Sequence, residues 1–382
     1  MSEHVRAALT TIVEGGTLSL DEARLAMGAV MDGDATPAQL AALLMGLRMR
    51  GETVDELAGF ATAMRERVVR VEAPQGTVDV VGTGGDGSGT FNISTASALV
   101  LAAAGVPVAK HGNRAITSRS GSADVLDSLG IRIDHDAASA SAALADVGFA
   151  FLFAPNFHPA MRHAGPTRKE IGIRTAFNLL GPLTNPAGTR RQLLGVGDPR
   201  AAGRFAEVVH RLGTERTLVV HGAAVDELPL DGTGVVYDVT EDGVEQRFVD
   251  AEALGLRAAA TSKLAGGDAA TNARYVEAVL RGEPGARRDV VLLNAGAAFM
   301  AAGSVETLED GLERAALTID AGLTAELLGR LRAERIAAEA ATGAPAAAAP
   351  GAEANGQALS GVGSAAAWPD TRAPTSKAGA GA

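Results

Sequence analysis

Gly82, Gly84, Gly85, Gly87 and Gly89 follow the apolar run 78–81 and precede Asn92, Ser94 and Thr95, which open an alanine-rich stretch reaching about residue 104. Glycines carry no Cβ to hold a ligand off the backbone and tolerate positive φ, so their N–H groups can converge on an anion. A helix beginning directly after them adds unpaired N–H groups and the positive end of its dipole. Strand, anion-sized loop and helix in this order can bind phosphate, although a plain turn also explains glycines alone. The loop is not a GxxxxGK[ST] P-loop.

The next segment strengthens the phosphate reading. A strand expected at 106–109 ends in Lys110, His111, Gly112, Asn113 and Arg114, followed by ITSRSGSAD, dense in hydroxyls and glycine. In open parallel sheets ligands sit beyond the carboxyl ends of the strands, so two successive strand ends carrying anion donors converge on one polyanion. Asp226 and Glu227 follow a third expected strand, 217–221. Adjacent carboxylates are more often a solvated loop. In a chain with a pyrophosphate-type loop they also suit magnesium, which binds through one or two carboxylates plus substrate phosphates. Arg168 opens the stretch RKEIGIRTAFNLLG, where an arginine ordinarily faces solvent, and Arg174 reads as a partner for a carboxylate within the fold.

Residues 1 to about 70 read as helices that must precede and flank this apparatus. Ser19 with Glu22 and Thr53 with Glu56 are capping-box pairs, and Thr36 before Pro37 is a cap with proline at the first helical position. Leu40, Leu43, Leu44 and Leu47 line one face, as do Leu57, Phe60, Ala61, Met64 and Val68. From residue 78 strands alternate with helices, with strands expected at 78–81, 106–109, 131–133, 149–153, 192–196 and 217–221. Late helices are expected at 268–280, 287–302, 306–320 and 325–341. The alternation predicts an α/β fold with a mainly parallel sheet flanked by helices, preceded by a small helical domain. The divisions are a helical domain at 1–72, rejoined by a helical segment near 166–185, an α/β domain at 73–342, and an Ala/Gly/Pro-rich tail at 343–382. The tail's composition predicts disorder, with Trp368 docking as an anchor the alternative.

The 382 residues suffice for a sizeable core, and the net charge of −11 offers no electrostatic footprint for nucleic acid. Cysteine is absent, which excludes disulfides and thiolate metal sites. No basic leader with an apolar core and no uninterrupted apolar run of spanning length is present, so a cytoplasmic protein without membrane partners is expected.

GTGGDG, NIST, KHGNR and SGSADVL, then HPAM at 158–161, Arg168, GIRTAFNLLGPLTNP at 172–186 and the pair Asp226–Glu227, resemble the anthranilate phosphoribosyltransferase family in order and spacing. The resemblance covers about residues 5–340. It implies a homodimeric, magnesium-dependent enzyme of tryptophan biosynthesis that joins anthranilate to phosphoribosyl pyrophosphate, with substrates in a cleft between a helical and an α/β domain. Carried over position by position, it implies substrate contacts at Gly82, Gly85, Asp86, Thr90, Asn92, Ile93, Ser94, Thr95, Lys110, His111, Gly112, Asn113, Arg114, Ala115, Ile116, Thr117, Ser118 and Ser122. Arg168 would meet the carboxylate of anthranilate, which a planar guanidinium suits. Asp226, Glu227 and Ser94 would hold magnesium. No obligate acid or base is implied: His111 either positions the amine acceptor or serves a structural hydrogen bond. The surroundings of the acidic pair depart from the family in having Ala224 and Val225 where a glycine-containing segment is expected. A pyrimidine nucleoside phosphorylase shares the plan, but KHGNR and RTAFNLLGPLTNP favour the transferase. A non-catalytic or nucleic-acid-binding relative is disfavoured by the acidic charge and intact acidic pair.

Overall fold

The fold is taken from a computed structural model that describes residues 1–115, 119–222 and 225–342. Ile116, Thr117, Ser118, Ala224 and the tail with Trp368 lie outside the described residues. Helices α1 (Glu3–Val13), α2 (Leu20–Met31), α3 (Pro37–Arg50) and α4 (Val54–Arg65) form the N-terminal bundle. Their starts are written locally: Ser19, Thr36 and Thr53 each accept the backbone N–H three residues on, while Glu22, Gln39 and Glu56 reciprocate. Leu40, Leu43, Leu44 and Leu47 on α3 and Leu57, Phe60 and Ala61 on α4 are fully or almost fully buried.

The sheet contains β1 (Val78–Gly82), β2 (Val108–Gly112), β3 (Phe149–Phe153), β4 (Arg191–Gly195), β5 (Arg216–His221), β6 (Thr233–Thr240) and β7 (Gly243–Asp250), in spatial order β3-β2-β1-β4-β5-β6-β7. The first five are parallel, and β6 and β7 append an antiparallel hairpin at one edge. Helix α5 (Ile93–Ala103) joins β1 to β2, and α6 (Ser122–Ser128) and α7 (Ala137–Asp146) lie between β2 and β3. Short helices α8 (Ala154–Phe157), α9 (Gly165–Ile171) and α10 (Phe177–Leu180) lead back towards the bundle, and α11 (Pro199–Arg211) joins β4 to β5. After the hairpin come α12 (Ala269–Leu280), α13 (Ala286–Ala301), α14 (Leu308–Asp320) and α15 (Leu323–Thr342).

Alternate strand residues enter different cores, as the two-residue strand period requires. Val78, Val80, Leu193, Leu218 and Val220 pack against α5 and α12–α15. Val81, Leu194 and Val219 face the other way into a core shared with the bundle, α10 and α11. Among the described residues no helix is long and apolar enough to cross a membrane.

Three expectations need correction. The second strand runs Val108–Gly112, not 106–109, so Lys110 and His111 lie within it and are buried. Residues 131–133 form no strand: the Ile131 N–H is turned onto the Leu126 carbonyl (2.9 Å), closing the end of α6. The β6–β7 hairpin was not anticipated, because β7, an edge strand reading GVEQRFVD, is too polar and exposed to show a buried alternation.

Candidate active site

The strand order reverses direction between β1 and β4, and in open α/β sheets the crevice outside such a switch point receives the ligand. Gly82 and Gly195 end these two strands as register partners. A Cβ on Gly82 would strike the Asp226 carboxylate, and one on Gly195 would overlap the Asp226 backbone carbonyl. The two bare strand ends therefore let the loop carrying the acidic pair lie directly on the sheet. The Gly84 N–H donates to Asp226 Oδ2 (2.8 Å), Gly197 N–H to Thr83 Oγ1 (3.1 Å), and Asp226 N–H to Asp86 Oδ2 (3.3 Å).

Asp86, Asp226 and Glu227 thereby bring carboxylate oxygens within 4.8 Å of one another. Burial, then repulsion from Asp86, pushes the Asp226 carboxyl up to about 6, and burial with repulsion from Asp226 and Asp86 raises Glu227 well above its ordinary range. Glu227 Oε2 is buried with no hydrogen-bond partner among the described residues. Three mutually repelling carboxylates with an orphaned oxygen, at the mouth of an anion loop, fit a divalent cation bound together with phosphate. Asp86 completes the set beside the pair expected from sequence. The hydroxyl of Ser94, the third expected metal ligand, lies 3.4 Å from Lys110 Nζ. Lys110 donates to the Val80 carbonyl from beneath the loop. Burial lowers its pKa to about 8 against the attraction of Asp79, Glu227 and Asp226, so it is a buried counter-charge to the acidic cluster.

The wholly buried Asp79 on β1 accepts the backbone N–H of His111, near the end of β2, at Oδ1 (3.2 Å) and Asn185 Nδ2 at Oδ2 (2.7 Å). Burial raises Asp79 to about 6. His111 Nδ1 lies 3.0 Å from the Gly181 carbonyl, which can only accept, so this nitrogen carries the proton and Nε2 is left as an acceptor. Burial depresses His111 to about 3 and His158 to about 4; their rings lie 5.1 Å apart and neither Nε2 has a partner among the described residues. Asp79 and Asn185 were not singled out from sequence. An acid inside the valine run VDVVG was the available signal, since a buried carboxylate needs dedicated donors.

The remaining expected residues divide by surroundings. Arg114 is committed to Asp124 (2.9 Å) and Asp127 (3.4 Å) on α6, while the Ala115 N–H donates to Asp124 (2.9 Å). Ser122 Oγ touches the Asn113 carbonyl (3.5 Å) and packs closely against Gly112. Thr90 shares its hydroxyl with Ser88 (3.3 Å). Thr95 and Ile93 are buried in α5, and Asn92 at its head accepts from Asn272 (2.9 Å). Arg168 on α9 is half-buried with its guanidinium carbon 4.8 Å from the Phe177 ring centroid. Arg174, expected to pair with a carboxylate, lies on the glycine loop, donates to the carbonyls of Gly84 (3.2 Å) and Thr83 (3.4 Å), and is attracted by the Asp226 and Asp86 carboxylates.

Residues 6–68 match the helical bundle domain of a glycosyl transferase family, and 74–325 match its a/b domain. Anthranilate phosphoribosyltransferases of Azorhizobium caulinodans and Thermomicrobium roseum are each 50% identical to it, covering 86% of this chain and 96% of their own. The chain belongs to the anthranilate phosphoribosyltransferase family. The crystal structure of the family member from Thermus thermophilus has a TM-score of 0.81 at 44% identity, covering 86% of this chain and 99% of that one. The Saccharomyces cerevisiae enzyme in complex with PRPP and Mg has a TM-score of 0.80 at 26% identity, covering 88% and 99%. These likenesses span both the bundle and the sheet.

Proposed function

We propose that the chain transfers the phosphoribosyl group of 5-phosphoribosyl 1-pyrophosphate to the amine of anthranilate, giving N-(5-phosphoribosyl)anthranilate and pyrophosphate in tryptophan biosynthesis. The observation that carries the reading is the meeting of glycine loop, α5 N-terminus and three carboxylates at the switch point. A polyanion and an acidic cluster share one site only when a cation lies between them. Asp226 and Glu227, joined by Asp86, would hold Mg2+. When bound, it would supply positive charge to the leaving pyrophosphate.

The chain's own groups do the rest. The Gly85 N–H, with Asn92, Ser94 and the head of α5, holds the diphosphate, Ser122 adds a further contact to it, and Asn113 touches both substrates. Arg168 binds the anthranilate carboxylate and fixes the amine in line with the anomeric carbon. As the bond from that carbon to the pyrophosphate oxygen breaks, the amine forms the new C–N bond from the opposite face and releases a proton. His111, neutral with Nε2 as an acceptor, orients the amine; a group held at about 3 is too weak a base to be obligatory. Alignment and leaving-group stabilisation supply the rate. A homodimer and a cytoplasmic location belong to the same reading, the former supported by exposed Val13, Leu25 and Met49 on α1–α3.

Loss of anthranilate fluorescence on adding phosphoribosyl pyrophosphate and magnesium tests the reaction. Turnover requiring all three is expected, and phosphorolysis of a pyrimidine nucleoside without it would replace the reading.

A further inference from the structure

Asn272, on α12 and 180 residues from the head of α5, is 2% exposed and contacts the glycine-loop region through a one-way chain of hydrogen bonds. It begins at backbone: the Gly267 N–H lies 2.7 Å from Asn272 Oδ1. A backbone N–H can only donate, so that edge of Asn272 must be its carbonyl, leaving Nδ2 to face Asn92. This Nδ2 can only donate, so the Asn92 atom 2.9 Å away must be Oδ1. The Asn92 amide is thereby oriented with its own Nδ2 left over, and that group donates to no acceptor among the described residues and makes no cap bond to α5. The result does not depend on which way either amide is drawn, because the sense is set by a backbone proton.

The reference point is attached to the loop it controls. The Phe91 N–H donates to the Leu264 carbonyl (2.9 Å), the Gly266 N–H to the Gly89 carbonyl (2.8 Å), and Thr90 bridges to Ala265. Segment 264–267 is thus stitched to the end of the glycine loop, and Asn272 relays its polarity into the first residue of the helix start.

We propose that Asn272 is a positioning residue that holds the Asn92 amide in the sense that presents its NH2, and not its carbonyl, to the diphosphate. The proposal rests on the placement of Asn92 in the diphosphate site. A reversed amide would set an oxygen against a phosphate oxygen in place of a charge-assisted hydrogen bond.

Asn272→Asp separates this from a packing role, because aspartate still accepts from Gly267 but cannot donate to Asn92. Measured with Asn92→Ala and the double variant, Asn272→Asp should raise the phosphoribosyl pyrophosphate KM roughly 10- to 100-fold, the range for a hydrogen bond to a charged group. The anthranilate KM should stay within about twofold, and the variant should remain folded at the assay temperature with a lower melting temperature, because a carboxylate is now buried. With Asn92 already alanine, Asn272→Asp should add only the smaller effect of its charge, giving a non-additive cycle. Equal factors in both backgrounds would overturn the proposal. If Asn92→Ala alone leaves that KM unchanged, the placement of Asn92 fails and takes the proposal with it, whereas additivity with a responsive Asn92 removes Asn272 alone. Should Asn272→Asp not fold, Asn272→Ala tests the same coupling, with a several-fold KM rise expected only where Asn92 is present.

Discussion

The Arg168 guanidinium lies over Phe177, half-buried, so part of its water has gone before a ligand arrives. A carboxylate reaching it gains a charge-assisted contact worth roughly 1.5–3 kcal/mol. Arg168→Ala should therefore raise the anthranilate KM about 10- to 100-fold by the same magnitude, with little change for phosphoribosyl pyrophosphate. Equal effects on the two would remove it from the acceptor site. At the acidic pair, Asp226 is raised to about 6 and Glu227 well above its ordinary range. Raised carboxyl pKa values mean that the metal-free folded chain retains protons which the unfolded chain releases. This contribution to stability is full below about pH 4, the ordinary carboxyl range, and is lost as pH rises through the folded values. Cation binding needs the ionised forms and so runs in the opposite direction. The half-saturating magnesium concentration should rise as pH falls through 6, by about tenfold per unit for each proton displaced. Asp226→Asn with Glu227→Gln should flatten that dependence and lower the rate, with partial recovery at high magnesium. Magnesium titrations of initial rate from about pH 5.5 to 8, a span bracketing the raised carboxyl value, check this. Superimposable curves for both proteins would sink the metal assignment.

At the level of elements, the site depends on how closely a loop can approach the ends of β1 and β4. Gly195→Ala places a methyl group where the Asp226 carbonyl now lies, and backbone cannot yield as a flexible side chain would. The expected outcome is a folded protein, destabilised by about 1–3 kcal/mol as overpacking costs elsewhere, whose magnesium requirement rises at least as much as in the amide variants. An unchanged magnesium dependence would show that the acidic loop is not positioned from β4. Local signals explain what could be read of these elements. Capping boxes four residues long, leucine spacing, and Phe149–Phe153 as an apolar strand are written in neighbouring residues. Lys110 and His111 look like loop residues because their polarity is satisfied by Val80, Asp79 and Gly181, all distant in sequence. The motif for the phosphate loop was legible for the same reason that caps were. The buried Asp79–Asn185 bond and the Asn272–Asn92 bond were not, since 106 and 180 positions separate the partners.

At the scale of the whole molecule, the division of the sequence near residue 72 does not divide the hydrophobic core. Leu43, Leu44 and Phe60 of the bundle share one apolar cluster with Phe177 and Leu180 of the returning segment, Phe205 and Val208 of α11, and Leu194 and Val219 of the sheet. Polar ties cross the same junction: Arg65 Nε donates to the Leu183 carbonyl (2.7 Å), Arg204 Nη1 to the Glu52 carbonyl (2.6 Å), and Arg211 pairs with Asp55 (3.2 Å). A bundle whose inner face is completed by the sheet and α11 has no separate core to retain when they unfold. Residues 1–342 should therefore melt in one calorimetric transition, with van't Hoff and calorimetric enthalpies in agreement. Leu194→Ala, which removes a fully buried side chain from the sheet face of this shared core, should cost about 2–5 kcal/mol and move that transition as a whole. If heating instead resolves two peaks, and Leu194→Ala shifts only one, the bundle and the sheet are independent folding units and the continuity of the core has no thermodynamic meaning.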